Sequence, residues 1–432
     1  MNWLEKRIYD LVKGNPRVKN RIRDIYQGVF DLMPQASPMH AYDIIPREGF
    51  FFGFHDHTPF SPDNSRLLAN RFDIPLRMPT AADSLEIGYF GGTDYLDYQP
   101  VARTRAWMWH MGCKAQWRGS SNGIVSNDHV GGQNIARVVD SDTGDSRSLP
   151  DTIASVSPDG KFAVGYSFAR VEECMPGYGY VFDVGDPEKG VERPKGNGIH
   201  LIDLEGGERR LLYSIYELAQ IQPEPSMEGA YHFVTHAVFS PDSKRFVFLH
   251  RWVHMGDLTK RWSRLISYDL NGEDLCVFPT KEMVSHIGWR DSGAVVAYCR
   301  VPRYGDQYVL FFINDPLAYE VVGQTQFNSD GHPSFEPSGR WMVTDTYPDR
   351  RRLQNLVLYD TQEARRYDIA RLPMPARYQS RLPYQHWGCD LHPRWDRTGS
   401  WLCFDSTFTG ARSLCTVNLG SDLQEERVKD IS

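Results

Sequence analysis

A short pattern that recurs along the chain constrains its fold more than any other feature. An aromatic or apolar residue is followed by a tight Ser/Pro/Asp/Gly turn and then by a second apolar strand. Neighbouring copies lie roughly 40 to 60 residues apart, with one longer interval between Val156 and Phe239. We call the first residue of each copy the marker, and the seven markers are Phe60, Trp117, Val156, Phe239, Trp289, Phe335 and Trp395.

Seven copies of this pattern predict a β-propeller. Repeats of this length with strand–turn–strand content are typical of four-stranded propeller blades. We therefore predict an all-β, seven-bladed β-propeller over residues 36–432, with an insertion at about 174–227 in the long interval. Six or eight blades are the alternatives. Residues 49–54 are predicted to supply the strand that closes the ring and removes its exposed edges.

The first 35 residues predict an N-terminal helical extension (1–35). Apolar residues follow helical spacing on both sides of a break at Asn15-Pro16. Seven basic residues stand against three acidic ones up to Asp24. We favour a helical cap with a solvated basic face, and contact with a membrane surface or an acidic protein partner is the alternative.

Composition narrows the classes of function. The net charge of −7 argues against a general nucleic-acid binder. No apolar run reaches the length of roughly 18 residues that a transmembrane helix needs. The seven cysteines show neither a CxxC pair nor regular spacing, which predicts reduced thiols and a cytoplasmic location.

Three residues before the marker, five of the seven copies carry histidine, although only 14 of 432 residues are histidine. The marker strand is expected to be the innermost strand of its blade, so these positions should ring one mouth of the central channel. Imidazole is the commonest metal ligand, while hydrogen bonding between blades is the alternative role. The seven positions are His57, Lys114, Ile153, His236, His286, His332 and His392.

Arginines are expected beside this ring. Arg71 and Arg300 stand where second strands end, and Arg170 and Arg251 lie close to such ends. Arginine binds carboxylates bidentately, although an arginine at the start of a loop is often only solvated. In the insertion, Tyr178 is a candidate for stacking on sugar rings or, equally, for packing the loop on itself.

The repeats resemble the oligogalacturonate lyase family, whose propeller is related to the TolB-type repeat. The resemblance covers most of residues 50–425, and its best points are His286, His332 and His392, spaced like the metal-binding histidines of that family. Asp390 stands where the family has another histidine. Arg264 is the nearest match to the family's catalytic arginine, with Arg261 second.

This resemblance implies metal-assisted β-elimination on an acidic, uronate-containing oligosaccharide. The implied ion is Mn²⁺, with Zn²⁺ or Ca²⁺ as alternatives. A non-catalytic propeller that binds glycan or protein in surface-polysaccharide biosynthesis is the alternative function. The predicted site comprises His286, His332, Asp390 and His392 as metal ligands, Arg264, His236 and Arg300 as catalytic residues, and His57, Arg71, Lys114, Arg170, Arg251 and Tyr178 as substrate-binding residues.

Overall fold

A computed structural model describes residues 36–380 and 385–431 of the chain. Within them the chain forms a seven-bladed, all-β propeller, as predicted. Each blade is an antiparallel sheet whose sequence order runs from the channel outwards. The predicted helical extension at 1–35 lies outside the described residues.

The strands follow the chain blade by blade. The N-terminal strands, which join the last two blades, are β1 (Met39–His40) and β2 (Ile44–Glu48). Blade 1 comprises β3 (Phe50–Phe51), β4 (Leu67–Arg71), β5 (Leu85–Gly91) and β6 (Asp97–Thr104). Blade 2 comprises β7 (Gln116–Trp117), β8 (Gly123–Val130), β9 (Gln133–Asp140) and β10 (Ser146–Leu149). Blade 3 comprises β11 (Ser155–Val156), β12 (Phe162–Gly165), β13 (Gly198–Asp203) and β14 (Arg209–Ser214).

Blades 4 and 5 have the longest inner strands. They comprise β15 (Tyr231–Phe239), β16 (Arg245–Val253), β17 (Arg261–Asp269) and β18 (Asp274–Val277); and β19 (Val284–Asp291), β20 (Ala294–Val301), β21 (Gly305–Phe312) and β22 (Asp315–Val322). Blades 6 and 7 comprise β23 (Ser334–Phe335), β24 (Trp341–Asp345), β25 (Leu353–Asp360) and β26 (Arg365–Pro373); and β27 (Arg394–Trp395), β28 (Trp401–Ser406) and β29 (Ser413–Asn418).

The ring closes through strands from the N-terminal part of the chain. Strand β2 pairs with β29 and completes blade 7, while β1 adds a fifth strand to blade 6. The closing strand therefore precedes the predicted stretch 49–54. Gly49, with φ of 84°, lies between β2 and β3, so that Phe50–Phe51 starts the innermost strand of blade 1 instead.

The long interval between markers is two insertions rather than one. Strands β13 and β14 fall within the stretch 174–227 and complete blade 3. The first extra segment, residues 166–197, carries helix α1 (Phe168–Cys174), and the second, residues 215–230, carries helix α2 (Ile215–Leu218). In the part of the chain that the structure describes, the remaining helices are α3 (Gly420–Gln424) and three 3₁₀ turns at Thr93–Tyr95, Pro225–Met227 and Ala376–Tyr378.

The tryptophan markers join neighbouring blades. The indole Nε1 of Trp117 donates to the Pro59 carbonyl at 2.9 Å, and Trp289 and Trp395 bond in the same way to Val238 and Ser334. Each tryptophan thus buries its ring in the core and satisfies its polar atom on the preceding blade. This explains why the marker recurs independently of any function.

Two further findings concern the described residues as a whole. Among them, no helix is long and apolar enough to cross a membrane. All seven cysteines lie in the described ranges, and all seven are free thiols.

Candidate functional site

Two cavities lie at opposite ends of the inner strands. We call the cavity at their beginnings the histidine mouth, because His236 and His286 line it; its volume is about 390 Å³. We call the other the turn mouth, because the marker turns line it, including Trp289 and Phe335; its volume is about 540 Å³. Most titratable side chains of the predicted ring belong to the first cavity or to the channel directly beneath it.

Local irregularities aim the ring residues at the channel. The register of β15 shifts between Thr235 and Val238, at His236, and the register of β19 shifts around His286. His236 adopts a left-handed conformation with φ of 56°, and Lys114 and His392 do so as well. A bulge re-aims a side chain away from the strand's alternation, and left-handed non-glycine residues cluster at functional sites.

Four histidines of the predicted ring converge. The ring centroids of His286 and His332 are 4.0 Å apart, and those of His332 and His392 are 4.3 Å apart. Phe54 lies in the middle, with its centroid 4.7 Å from that of His236. Imidazoles from four separate blades therefore meet around one aromatic ring in the channel.

Blade 1 contributes a different histidine from the one predicted. The ring of His55 lies 5.1 Å from that of His332, within the cluster. Both His55 and His57 line the turn mouth, but the ring of His57 lies outside the cluster, with its Nε2 3.1 Å from Asp56 Oδ1. The inner strand of blade 1 is interrupted between Phe51 and Phe60. The ring position of this blade therefore falls two residues earlier than the marker spacing predicts.

A buried carboxylate orients two of the histidines. Asp345 accepts hydrogen bonds from the backbone N–H and Nδ1 of His332, both at 2.8 Å, and from the backbone N–H of His392 at 3.0 Å. Burial opposes charge on both partners, yet their attraction outweighs it, lowering the pKa of Asp345 and raising that of His332. The bond to Nδ1 leaves Nε2 of His332 as the ring nitrogen directed elsewhere, a pattern common around metals.

Three side chains form a candidate metal centre. One ligand atom each of His110, Asp390 and His392 lie within 4.8 Å of one another. The Nε2 atoms of both histidines are buried and have no hydrogen-bond partner among the described residues. Burial holds the pKa of each imidazole well below its usual value, which keeps it neutral and able to bind a cation, and raises the pKa of Asp390 to about 6.

This donor set fits a divalent ion. Two neutral imidazoles and a carboxylate suit Mn²⁺, Zn²⁺ and similar ions, and the orphaned Nε2 atoms need a partner that the described protein does not supply. Asp390 and His392 of the predicted ligand set belong to it. His286 and His332 lie beside it, with their Nδ1 atoms bound to Asp330 and Asp345 at 3.0 and 2.8 Å.

His110 was missed from the sequence. It lies in the connection between β6 and β7, within a segment rich in buried tryptophan and methionine, and outside the marker phase. A periodic argument therefore has no means of selecting it. His386, whose ring centroid is 3.9 Å from that of His110, was likewise placed outside the predicted ligand set.

Arg251 and Arg261 supply positive charge to the histidine mouth, which Arg352 also lines. Arg251 donates from Nε to Thr235 Oγ1 at 2.9 Å and from Nη2 to the Ser285 carbonyl at 3.2 Å. Burial, and then the charge of Arg261, lower the pKa of Arg251 to about 10, so it remains protonated at neutral pH. Both arginines line the cavity, and neither forms an ion pair with a carboxylate of the described chain.

The first insertion covers this cavity with Tyr178. Its ring stacks on that of His110 at 5.2 Å and meets that of His386 edge-on at 4.8 Å. The preceding Gly177 has φ of 94°, and a Cβ there would lie 2.4 Å from His386 Cβ. Only glycine allows the loop to approach so closely, and this approach fixes the position of Tyr178.

Arg264 and Arg170 lie buried outside the cavity. Arg264 donates to the Leu218 and Ile221 carbonyls at 2.7 and 2.6 Å and so holds the second insertion in place. Arg170 donates to Asp186 Oδ2 at 3.0 Å and to backbone carbonyls of the first insertion. The N–H groups of both guanidinium ions therefore form hydrogen bonds that hold these loops in place.

The predicted catalytic Arg300 and the predicted substrate-binding Arg71 and Lys114 also lie away from the histidine mouth. Arg300 pairs with Asp306 at 2.6 Å on the surface of blade 5, and exposed Arg71 lies 3.7 Å from Glu86 on blade 1. Lys114 is buried in the channel and donates from Nζ to Asp56 at 2.5 Å. Of the arginines predicted at or near second-strand ends, Arg251 lines the cavity, whereas Arg71, Arg170 and Arg300 do not.

Comparison with solved structures agrees with the fold. An oligogalacturonate lyase from Vibrio parahaemolyticus is 13% identical, with a TM-score of 0.56 over 89% of this chain and 98% of that chain. TolB from Acinetobacter baumannii is 17% identical, with a TM-score of 0.41 over 72% of this chain and 64% of that chain. No protein-family model matches the chain, and no curated protein matches it either. The predicted likeness to the oligogalacturonate lyase propeller is thus confirmed as a likeness of fold.

Proposed function

We propose that this protein is a lyase that cleaves short uronate-containing oligosaccharides by metal-assisted β-elimination in the histidine mouth. The observation that carries the proposal is that Arg251 and Arg261 line the same cavity as His110 and Asp390, two members of the His110–Asp390–His392 cluster. A cation site beside arginines suits a ligand with a carboxylate. The likeness of fold to an oligogalacturonate lyase supports the same reaction class, at the level of analogy.

The arginines would make the proton next to the carboxylate acidic. The C5 proton of a uronic acid leaves as an enolate-like charge develops on the carboxylate, and fixed cations that face this charge lower the barrier. Arg251 is held by Thr235 and Ser285, so its orientation is set before substrate arrives. Arg251 and Arg261 take the role for which the sequence offered Arg264 first, with Arg261 second, and Arg300. A divalent ion, when bound, would add Lewis-acid stabilisation of the same oxygens.

His236 is the proposed base. It lines the histidine mouth, its Nδ1 is buried without a hydrogen-bond partner, and burial keeps its pKa well below the usual value. A neutral imidazole with a free lone pair accepts a proton, whereas the guanidinium of Arg251, with a pKa of about 10, holds its own. His236 therefore removes the C5 proton in this mechanism.

A second candidate is a glycan-binding propeller without turnover. Tyr178, Tyr347 and Tyr378 all line the histidine mouth and offer ring faces on which sugars stack. Such a surface binds glycan whether or not a bond is broken. The free thiols of the chain support the further proposal that either activity operates in the cytoplasm.

Ultraviolet absorbance of the unsaturated product separates the two candidates. Purified protein is mixed with a panel of uronate oligosaccharides, with Mn²⁺ or with chelator, and glycan binding is measured in parallel. The lyase proposal expects product with Mn²⁺ and none with chelator. Binding without product across the panel favours the second candidate, and neither product nor binding contradicts both. His57→Gln, an imidazole change in the turn mouth, serves as the matched control.

A further inference from the structure

We propose that Tyr178 is the general acid that protonates the departing glycosidic oxygen. This inference rests on the proposed lyase function and deepens it, because the base His236 and the arginines leave the second proton transfer unassigned. Without a proton donor, the C4–O bond would have to break to an alkoxide, which is a poor leaving group.

The hydroxyl of Tyr178 differs from those of the buried tyrosines around it. The Tyr166 hydroxyl accepts from the His236 backbone N–H at 3.2 Å, the Tyr180 hydroxyl accepts from Asn127 at 3.2 Å, and the Tyr308 hydroxyl bonds Thr344 at 2.8 Å. The hydroxyl of Tyr178 has no such partner among the described residues, although its ring is packed on two imidazoles. A well-held ring with an unbound hydroxyl is ready to meet a ligand.

Tyr178 lies where the reaction needs it. It lines the histidine mouth together with His236, Arg251, Arg261 and Asp390. Its ring centroid is 6.3 Å from that of the proposed base and 5.2 Å from that of the metal-ligand candidate His110. A sugar that is bound between the base and the metal centre therefore has this tyrosine at its side.

The protonation states suit the assignment. A phenol has an ordinary pKa of about 10 and therefore holds its proton at neutral pH. Asp390 is assigned to the metal.

The step balances without a further reactant. His236 takes the C5 proton, and the electron pair of the C5–H bond forms the C4=C5 double bond. The C4–O bond breaks with its electron pair on the oxygen, which takes the phenolic proton of Tyr178. The imidazolium of His236 loses its proton to solvent and the phenolate of Tyr178 regains one, which restores the enzyme.

The loop that carries Tyr178 is held rigidly enough for this role. The backbone N–H of Gly177 donates to Glu172 Oε2 at 2.8 Å, and the Tyr180 N–H donates to the Phe168 carbonyl at 3.2 Å. Tyr180 itself stacks on Phe168 at 4.3 Å. The acceptors Glu172 and Phe168 both belong to helix α1 of the first insertion. The insertion into blade 3 therefore both carries Tyr178 and holds it in position.

Tyr178→Phe tests the inference on the intact chain. We expect kcat on a uronate oligosaccharide to fall about 100-fold while KM changes little, because only transition-state proton transfer is lost. On a uronide with a nitrophenolate leaving group at C4, which departs without protonation, the variant should regain nearly wild-type rates. Tyr213→Phe, a change on the outer side of blade 3, should leave both rates unchanged.

The outcomes separate the two proposals. Wild-type turnover with an unaffected Tyr178→Phe variant overturns the assignment of Tyr178 and leaves the lyase proposal standing. Tyr347 lines the same cavity beside His286. If Tyr347→Phe lowers kcat and Tyr178→Phe does not, the assignment is also overturned. Equal losses on both substrates point to a role in binding and contradict the acid role. If the wild type forms no product, the lyase proposal fails and the assignment falls with it.

Discussion

The two mouths of the channel are built from different parts of the sequence. The turn mouth is the larger, at about 540 Å³, and is lined by markers and turns that every blade supplies in similar form. The histidine mouth is smaller, at about 390 Å³, and combines bulged inner strands with segments that occur once, among them those carrying His110 and Tyr178. The larger cavity is thus lined by residues that the repeat supplies in each blade, whereas the smaller one includes residues from segments that are not repeated.

The difference indicates that the catalytic residues of a repeat protein lie where its chain departs from the repeat. The turn-mouth tryptophans bond neighbouring blades, so their recurrence is explained by stability. Buried ring nitrogens without partners in the described protein occur at both mouths, such as Nε2 of His110 and Nδ1 of His236 at one and Nε2 of His57 at the other. Among the described residues, only those of the histidine mouth lie beside a set of three potential metal ligands. Unsatisfied polar atoms cost stability and call for a functional reason. Four changes test whether the two mouths differ as stated.

The largest effect is expected from Asp390→Asn. The amide keeps the shape of the side chain but loses the charge that helps to hold a cation, so product formation should fall about 1,000-fold. The matched change in the turn mouth, His57→Gln, should alter the rate by less than about 2-fold, because His57 lines the other cavity and belongs to neither the ligand set nor the arginines of the histidine mouth. Ultraviolet absorbance assays with added Mn²⁺ measure both rates. Equal losses in the two variants would erase the distinction between the mouths.

The next effect is expected from Arg251→Gln. Removing one preorganised cation from the developing enolate-like charge should lower kcat/KM about 100-fold. Arg290, which lines the turn mouth and pairs with Asp291, is the matched position, and Arg290→Gln should leave kcat/KM unchanged. Steady-state kinetics on the same oligosaccharide give both values. A loss in the Arg290 variant alone would move the site to the turn mouth.

A smaller effect is expected from Asp345→Asn. This carboxylate orients His332 and His392, so its replacement should weaken Mn²⁺ binding about 10-fold without removing a ligand. Because Asp345 has a lowered pKa when folded, the stability that it contributes is present above its unfolded pKa and is lost as pH falls through the folded pKa. Calorimetric titration and acid unfolding of the variant check the two statements. Unchanged Mn²⁺ affinity would show that the histidines orient themselves.

The smallest effect concerns the loop over the histidine mouth. Burial raises the pKa of Glu172 from 4.5 to about 7, so its ionisation between these values destabilises the folded protein. Glu172→Gln keeps an acceptor for Gly177 and should make the protein about 1 kcal/mol more stable than the wild type at pH 8, with the difference vanishing near pH 4. Urea unfolding at the two pH values measures it. An equal increase in the free energy of unfolding at both pH values would show that the charge of Glu172 is not the cause.

The sequence predicted what the repeat encodes. Seven markers defined the blades, and the histidines three residues earlier were correctly expected to converge, as the contacts among His286, His332 and His392 show. The exception, His57, arises where the inner strand of blade 1 is interrupted and the phase shifts. Periodic reasoning succeeds wherever the backbone itself is periodic.

The rest depends on contacts between distant and unrepeated segments. Nothing in its local sequence distinguishes His110 from a core histidine, because only the folded ring brings it to Asp390. Arg264 and Arg170 look like exposed cations in the sequence, yet each is buried against backbone carbonyls of an insertion. Which arginine reaches a cavity is settled by loop geometry, which a spacing rule does not contain.

The central claim is that His110, Asp390 and His392 hold a divalent ion. Calorimetric titration of chelator-treated wild-type protein with Mn²⁺, repeated with His110→Ala and His57→Gln, tests it most directly. The account predicts one ion per chain in the wild type and in His57→Gln, and loss of that binding in His110→Ala. A wild-type protein that takes up no ion, or a His110→Ala variant that binds as tightly as the wild type, would contradict it.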